Sequence, residues 1–172
     1  MYNNEMTGKI QRVYIDSSVV SGMFDSNDHP VKVKPFWDAV FNGKIRVILS
    51  SILDDELESA PQHIRDFYKS IPESQIERGV STEESNRLAA LYIAAGIVSP
   101  KHIIDCRHVA LAAVTCADVL VSFNCRHIVN FNRIDRYNAI NTVLGYHKIK
   151  ILTPDKLTYK ETNHDKIRPV PN

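Results

Sequence analysis

Acidic and amide side chains recur in this sequence where an apolar segment ends or a helix begins. Asp16 directly follows the first apolar segment, and Asn124 follows the fourth after a single phenylalanine. Glu56 lies one to two turns into a helical pattern, and Asp105 lies near the start of an alanine-rich one. Carboxylates placed close together repel one another unless a cation neutralises them. Mg²⁺ and Mn²⁺ prefer such oxygen ligands, and at this kind of site they activate water and stabilise charge on a phosphoryl group.

Each of these residues also has an ordinary structural interpretation. Asp16 stands before two serines and suits a helix cap, and Glu56 belongs to a short acidic run that suits a solvated helix face. Asp105 suits the first turn of a helix because of the helix dipole. His108, one turn later, suits packing or hydrogen bonding, and Asn124 suits a loop cap. The hypothesis of a metal site therefore depends on all the oxygen ligands meeting at one place.

The elements that would bring them together follow from alternating apolar and helical patterns. The predicted strands cover residues 12–15, 45–49, 75–80, 118–122 and 148–152. The predicted helices cover residues 34–42, 51–59, 62–69, 81–96, an alanine-rich stretch that includes 109–114, and 136–145. The helix at 81–96 is predicted to open with a capping box formed by Ser81 and Glu84. This alternation predicts an α/β fold with a mostly parallel sheet, whose strands end at one ligand-binding edge.

Length and composition indicate one globular domain. The chain has 172 residues, of which 44% are hydrophobic, enough for a single core. We predict a domain over residues 1–154 and a polar C-terminal tail over 155–172. No apolar run is long enough to span a membrane and the N-terminus lacks an apolar signal segment, so a cytoplasmic protein is expected.

Charge and cysteine content narrow the functional classes. The chain carries 21 Lys and Arg against 20 Asp and Glu, a net charge of +1, which argues against binding nucleic acid by bulk phosphate neutralisation. A nuclease is compatible with this net charge, because the negative charges of acidic metal ligands would offset the positive charges of basic substrate contacts. Three cysteines without a CxxC pair indicate reduced thiols. Cys106 lies near His102 and His108, a spacing that permits a zinc site, although buried apolar thiols are the commoner outcome.

Four short segments, taken in order, resemble the motifs of PIN-domain proteins, and the resemblance runs from about residue 12 to residue 154. The segments are VYIDSSVV at 13–20, DELE at 55–58, DCRHVA at 105–110 and DVLVSFNCRHIVN at 118–130. The resemblance implies a PIN-like three-layer α/β/α sandwich and a Mg²⁺- or Mn²⁺-dependent endoribonuclease that hydrolyses RNA phosphodiester bonds. Such enzymes are best known as VapC-type toxins of toxin–antitoxin pairs.

Carried over by position, the resemblance assigns Asp16, Glu56 and Asp105 as the catalytic, metal-binding acids. Asn124 stands at a fourth metal-ligand position, where the toxins usually have aspartate. An amide oxygen coordinates a hard cation but adds no charge, so the number of bound metal ions stays open. Further residues are assigned supporting roles (Ser18, Ser122 and His108) or phosphate contacts (Lys101, Arg107 and Arg126).

The resemblance also implies partners. RNA is the expected substrate, and an antitoxin protein is an expected partner. A homodimer is predicted because small PIN proteins commonly pair and because the helical stretch at residues 88–95 is apolar. That stretch is equally compatible with a helix buried within its own domain.

Two rival hypotheses belong to other functional classes. A phosphorylation-switch receiver domain also binds Mg²⁺ through an aspartate, but it needs paired acids after the first strand and a lysine after the last. Ser17, Ser18 and Thr153 occupy those places. The second rival is a PIN-like binding module without activity, which Asn124 and the near-neutral charge keep open.

Overall fold

A computed structural model describes residues 9–159, and within them five strands form one sheet. The strands are β1 (Gln11–Ile15), β2 (Ile45–Ser50), β3 (Ile76–Gly79), β4 (Val119–Val121) and β5 (Lys150–Leu152). Their order is β3-β2-β1-β4-β5, and every pairing is parallel. The predicted α/β fold with a parallel sheet is confirmed. The order differs from the 2-1-3-4-5 arrangement of receiver domains, so the receiver hypothesis is wrong.

Seven α-helices flank the sheet in this part of the chain. They are α1 (Ser17–Ser21), α2 (His29–Phe41), α3 (Ser51–Glu58), α4 (Gln62–Lys69), α5 (Glu83–Ala94), α6 (Ile103–Val114) and α7 (Phe131–Val143). Across residues 9–159, none of these helices has the length and apolar character needed to cross a bilayer.

The core consists of two layers, one on each face of the sheet. Side chains alternate along β1, so Tyr14 packs with α5, α6 and α7, whereas Val13 and Ile15 pack with α1, α2 and α4. All three of these side chains are fully buried. Because both faces of the sheet are covered, residues of both parities are apolar and buried in the central strands, at residues 13–15 of β1, 47–49 of β2 and 119–121 of β4. The three-layer α/β/α prediction is confirmed.

The cap of α5 differs from the predicted one by a single residue. Thr82, not Ser81, is the N-cap: its hydroxyl accepts a hydrogen bond from the backbone of Ser85, and its own backbone N–H donates to the Ser85 hydroxyl at 2.9 Å. The Ser81 hydroxyl donates to Asn86 instead. Ser81 with Glu84 and Thr82 with Ser85 are both polar pairs at the spacing of a capping box, and the folded structure uses the second pair.

Two helices begin earlier than predicted. Helix α7 begins at Phe131, five residues before the predicted start, and is capped by the Asn130 side chain. Phe131 is 80% exposed, so its side chain does not anchor the first turn of α7 in the core. Helix α2 begins at His29, where a proline fits the first turn, and it continues through Pro35. Proline disfavours helical backbone in the residue before it, so a helical turn before Pro35 runs against the local sequence preference.

The chain after β5 returns to the domain. Pro154–Lys156 forms a short 3₁₀ turn, and Leu157 packs into the layer that contains α2. The remainder of the predicted tail, residues 160–172, lies outside the described residues.

Candidate active site

Asp16 lies where the direction of strand order reverses, between the carboxyl ends of β1 and β4. The parallel register pairs Ile15 with Val121 and so brings Asp16 beside Ser122. The Ser122 hydroxyl donates to one Asp16 oxygen at 2.6 Å, and the Ser18 hydroxyl donates to the other at 2.5 Å. Ser18 and Ser122, expected to support the site, thus hold this carboxylate directly.

The electrostatic environment of Asp16 is costly for a negative charge. Its side chain is buried, with 5% of the residue exposed. Burial raises the pKa of Asp16, and the charge of His108 and the hydrogen bonds from Ser122 and Ser18 offset that effect only in part. Since a nearby cation favours the ionised form of a carboxylate, a divalent ion here would relieve the cost.

Glu56 projects from α3, which begins where the Ser50 hydroxyl caps the backbone of Leu53. Its carboxylate lies 2.9 Å from Nε2 of His108. Burial alone would raise the pKa of Glu56, but the hydrogen bond and charge of His108, together with hydrogen bonds from Ser17, outweigh it and lower the pKa. Glu56 is therefore held ionised at neutral pH.

His108 is in turn held by a residue that the sequence analysis missed. Nδ1 of His108 lies 2.9 Å from the Tyr14 hydroxyl, which also hydrogen-bonds with the Ser50 side chain. Only 1% of His108 is exposed. A carboxylate can only accept, so in neutral His108 Nε2 donates to Glu56 and Nδ1 accepts from Tyr14. No sequence pattern indicates this role for Tyr14, because it sits among apolar strand residues.

Asp105 and Asn124 meet at the same edge of the sheet. Nδ2 of Asn124 donates to Oδ1 of Asp105 at 3.0 Å, while Oδ1 of Asn124 accepts from the backbone of His127. The backbone N–H of Asn124 donates to the Ser122 hydroxyl at 2.9 Å. Hydrogen bonds therefore connect Asp16 to Asp105 through Ser122 and Asn124. The amide nitrogen, rather than the amide oxygen, faces the carboxylate.

Two histidines that the sequence analysis did not assign to the site also surround Asp105. Nδ1 of His127 lies 3.0 Å from Oδ2 of Asp105, and Nδ1 of His102 lies 3.6 Å from the same oxygen. The two imidazole rings are in contact, with centroids 3.7 Å apart. Partial burial, followed by the neighbouring charge of His127, lowers the pKa of His102. In the sequence, the close spacing of His102 to Asp105 and of His127 to Asn124 was the feature that could have indicated these two histidines.

The cysteine-based zinc alternative does not match this arrangement. Cys106 is fully buried in the core, and its sulfur lies 3.9 Å from the Tyr137 hydroxyl. Burial raises the pKa of Cys106 to about 11, so the thiol stays protonated. His108, its other proposed partner, is occupied by Tyr14 and Glu56.

A groove of about 390 Å³ opens between α3 and the start of α6. Glu56 and Asp105 lie in it together with Lys101 and Arg107, two of the three predicted phosphate contacts. Arg107 is also tied to Asn86 at 3.0 Å. The third, Arg126, is exposed and lies outside this groove. The groove therefore brings acidic and positive side chains together, and Asp105 lies on the same helix as Arg107.

The residues at this edge suit a hard divalent cation. The three carboxylates provide oxygen ligands, and Asp16 carries a charge that burial disfavours. Asn124 could add an amide oxygen only after its side chain turned over, because the nitrogen now faces Asp105. Asp16 and Glu56 do not belong to the group of ligand atoms that lie within 4.8 Å of one another in residues 9–159, so binding of one ion by all three carboxylates stays a prediction.

Comparison with known proteins identifies the fold. No protein-family profile matches the sequence, and no characterised protein matches it at the sequence level. Solved structures do match: VapC20 of Mycobacterium tuberculosis, a sarcin-ricin loop cleaving toxin, has a TM-score of 0.52 and 9% identity, covering 80% of this chain and 98% of that one. VapBC2 from Rickettsia felis, bound to a DNA fragment from its promoter, has a TM-score of 0.51 and 14% identity, covering 82% and 97%.

Proposed function

We propose that this chain, which has the PIN-domain fold of VapC-like proteins, is a divalent-metal-dependent endoribonuclease. The observation that carries the proposal is Asp16, a buried carboxylate held by two hydroxyl groups at the point where the strand order reverses. Ligands of open α/β sheets bind at that point. The likeness to VapC20, a toxin that cleaves the sarcin-ricin loop, supports RNA as the substrate class.

The proposed metal ligands are Asp16, Glu56 and Asp105, with Asn124 as a fourth through its amide oxygen. When bound, Mg²⁺ or Mn²⁺ supplies Lewis-acid stabilisation of phosphoryl charge and eases deprotonation of water. Asp16 is positioned for this by the serines on either side, and its ionised form becomes favourable when a cation is present.

The other residues orient ligands and substrate. His108 holds the Glu56 carboxylate at 2.9 Å and keeps it ionised, so Glu56 stays available as a ligand. Lys101 and Arg107 face the same groove and would contact phosphates of the RNA backbone. A net charge near zero is compatible with this proposal, because acidic and basic groups line one groove.

A partner protein forms part of the proposal. The structural similarity to VapBC2 extends over 82% of the present chain. We therefore propose an antitoxin protein as a partner of this chain, which makes the enzyme the toxin of a toxin–antitoxin pair. The genomic neighbourhood tests this part separately: we expect a small gene immediately upstream, whose product co-purifies with this chain after co-expression.

The nuclease activity is tested by RNA cleavage with purified protein. The protein is incubated with total RNA or with a sarcin-ricin loop hairpin, in the presence of either Mn²⁺ or a chelator. Cleavage is expected with Mn²⁺ and not with the chelator. Asp16→Asn should abolish cleavage and leave the circular dichroism spectrum unchanged. Asp135→Asn, which neutralises an exposed acid on α7, is the matched control and should cleave like the wild type.

Two results would contradict the proposal. Cleavage by folded Asp16→Asn at the wild-type rate would remove Asp16 from the site. Tight RNA binding by the wild type with no Mn²⁺-dependent cleavage of either substrate would show a binding module instead of an enzyme.

A further inference from the structure

Three potential metal ligands converge from separate segments beside the acidic residues. His102 ends a 3₁₀ turn, Asp105 lies in the first turn of α6, and His127 lies in the loop that follows β4. One ligand atom from each lies within 4.8 Å of the other two. We call these three residues the His–Asp cluster.

Two distances within the His–Asp cluster are close to those of tetrahedral coordination. With zinc–ligand bonds of about 2.0–2.2 Å, tetrahedral ligand atoms lie roughly 3.3–3.6 Å from one another. The two histidine nitrogens lie 3.0 Å and 3.6 Å from the same Asp105 oxygen, close to that range. Small movements of side chains would therefore be enough to bind an ion.

We infer that His102, Asp105 and His127 form a binding site for a borderline transition-metal ion of the Zn²⁺ class. Two imidazoles and one carboxylate are a common zinc donor set, with the fourth position left to solvent or substrate. The cluster is also shielded: the side chains of His127 and His102 are 12% and 26% exposed. Partial burial limits competition from bulk water for the ligands.

The donor types separate this site from the proposed Mg²⁺ or Mn²⁺ site. Imidazole nitrogen suits Zn²⁺, whereas Mg²⁺ favours oxygen ligands and retains its waters. Lys101 and Arg126 place positive charge near His102 and oppose any cation there. A hard ion held mainly by charge would be weakened by them, whereas nitrogen coordination supplies additional bonding to a transition metal.

Asp105 connects the two sites. Its Oδ2 faces the histidines, while its Oδ1 faces Asn124 and, through Ser122, the Asp16 side of the edge. The two oxygens of one carboxylate can bind two ions at once. The zinc site does not depend on Asp16 or Glu56, so its existence can be tested apart from nuclease activity.

The test is calorimetric titration of Zn²⁺ alone into the full chain. The wild type should bind one ion at micromolar concentration or below, with a matching rise in Tm. His127→Gln and His102→Gln should each weaken binding by more than about tenfold, and the double variant should remove the Tm rise. His147→Gln changes an exposed histidine outside the cluster and should bind Zn²⁺ like the wild type.

Two further variants make the result specific. Asp16→Asn should keep Zn²⁺ binding while losing Mn²⁺ binding, so a failure of the nuclease proposal leaves this result intact. Cys125→Ser should also keep Zn²⁺ binding; loss of binding in this variant would make the exposed thiol a ligand and overturn the assignment. The inference is also overturned if the wild type binds no Zn²⁺, or if a folded double histidine variant binds it as tightly as the wild type.

Discussion

Tyr14→Phe should destabilise the protein, because it removes the partner of a buried imidazole nitrogen. The Tyr14 hydroxyl lies 2.9 Å from Nδ1 of His108. Both residues are almost completely buried, so water cannot replace the hydroxyl. Nδ1 is left without a partner whether it acts as an acceptor in neutral His108 or as a donor in the protonated ring.

The magnitude follows from the cost of one unsatisfied buried polar group. That cost is about 1–3 kcal/mol. The fully buried Ser50 side chain, which also hydrogen-bonds with the Tyr14 hydroxyl, loses that partner too, so the cost should not fall below this range. For a chain of this size each kcal/mol corresponds to roughly 2–4 °C, so Tm should fall by about 2–12 °C.

The assay is urea unfolding of metal-free protein at neutral pH, with Tyr146→Phe as the matched control. The Tyr146 hydroxyl donates to Glu84 at 3.0 Å in an exposed position, where water replaces it. Its removal should cost less than about 0.5 kcal/mol. Equal losses of unfolding free energy in the two variants, at unchanged m-values, would refute the reasoning about the buried Tyr14–His108 pair.

Three further predictions concern the acidic edge and the assembly. Because burial raises the pKa of Asp16, the folded state holds its proton more tightly than the unfolded state. The contribution of Asp16 to metal-free stability should therefore decrease as pH rises above about 4, and urea unfolding should show that Asp16→Asn gains stability relative to the wild type over that rise. Asn124→Asp puts a second carboxylate about 3 Å from Asp105, so calorimetry should show tighter Mn²⁺ binding and thermal melting should show lower metal-free stability. We predict a homodimer mass in light scattering at micromolar concentration. A monomer mass would contradict this prediction, and it would agree with the burial of Leu88, Ala89 and Tyr92 inside the domain's own core.

Most of the fold could be predicted from the sequence, because strand and helix periods are local. The five strands lie within two residues of their predicted ends. The central strands β1, β2 and β4 contain short apolar runs that end at polar residues, whereas β3 includes the charged Glu77 and Arg78. Asp16 was identifiable for the same reason, as the polar residue that follows β1 directly. Helix starts were less certain, because capping residues such as Ser81 and Thr82 are interchangeable in a sequence pattern.

The partners of the acidic residues were decided by the tertiary structure. Ser122 reaches Asp16 across 106 positions of the chain, and His108 reaches Tyr14 across 94. These contacts depend on strand order and helix position, which no local period encodes. The direction of the Asn124 amide has the same origin, because its oxygen is taken by the backbone of His127.

The layers of the fold and the positions of Asp16 after β1 and of Glu56 and Asp105 on helices could thus be inferred from local sequence patterns. This was possible because burial of apolar side chains imposes a period that can be counted along the chain. Only the folded chain decided that His102 and His127 converge on Asp105 and that Tyr14 fixes His108. The physical reason is that hydrogen bonds and metal ligation depend on distances of a few ångströms between segments that are far apart in the sequence.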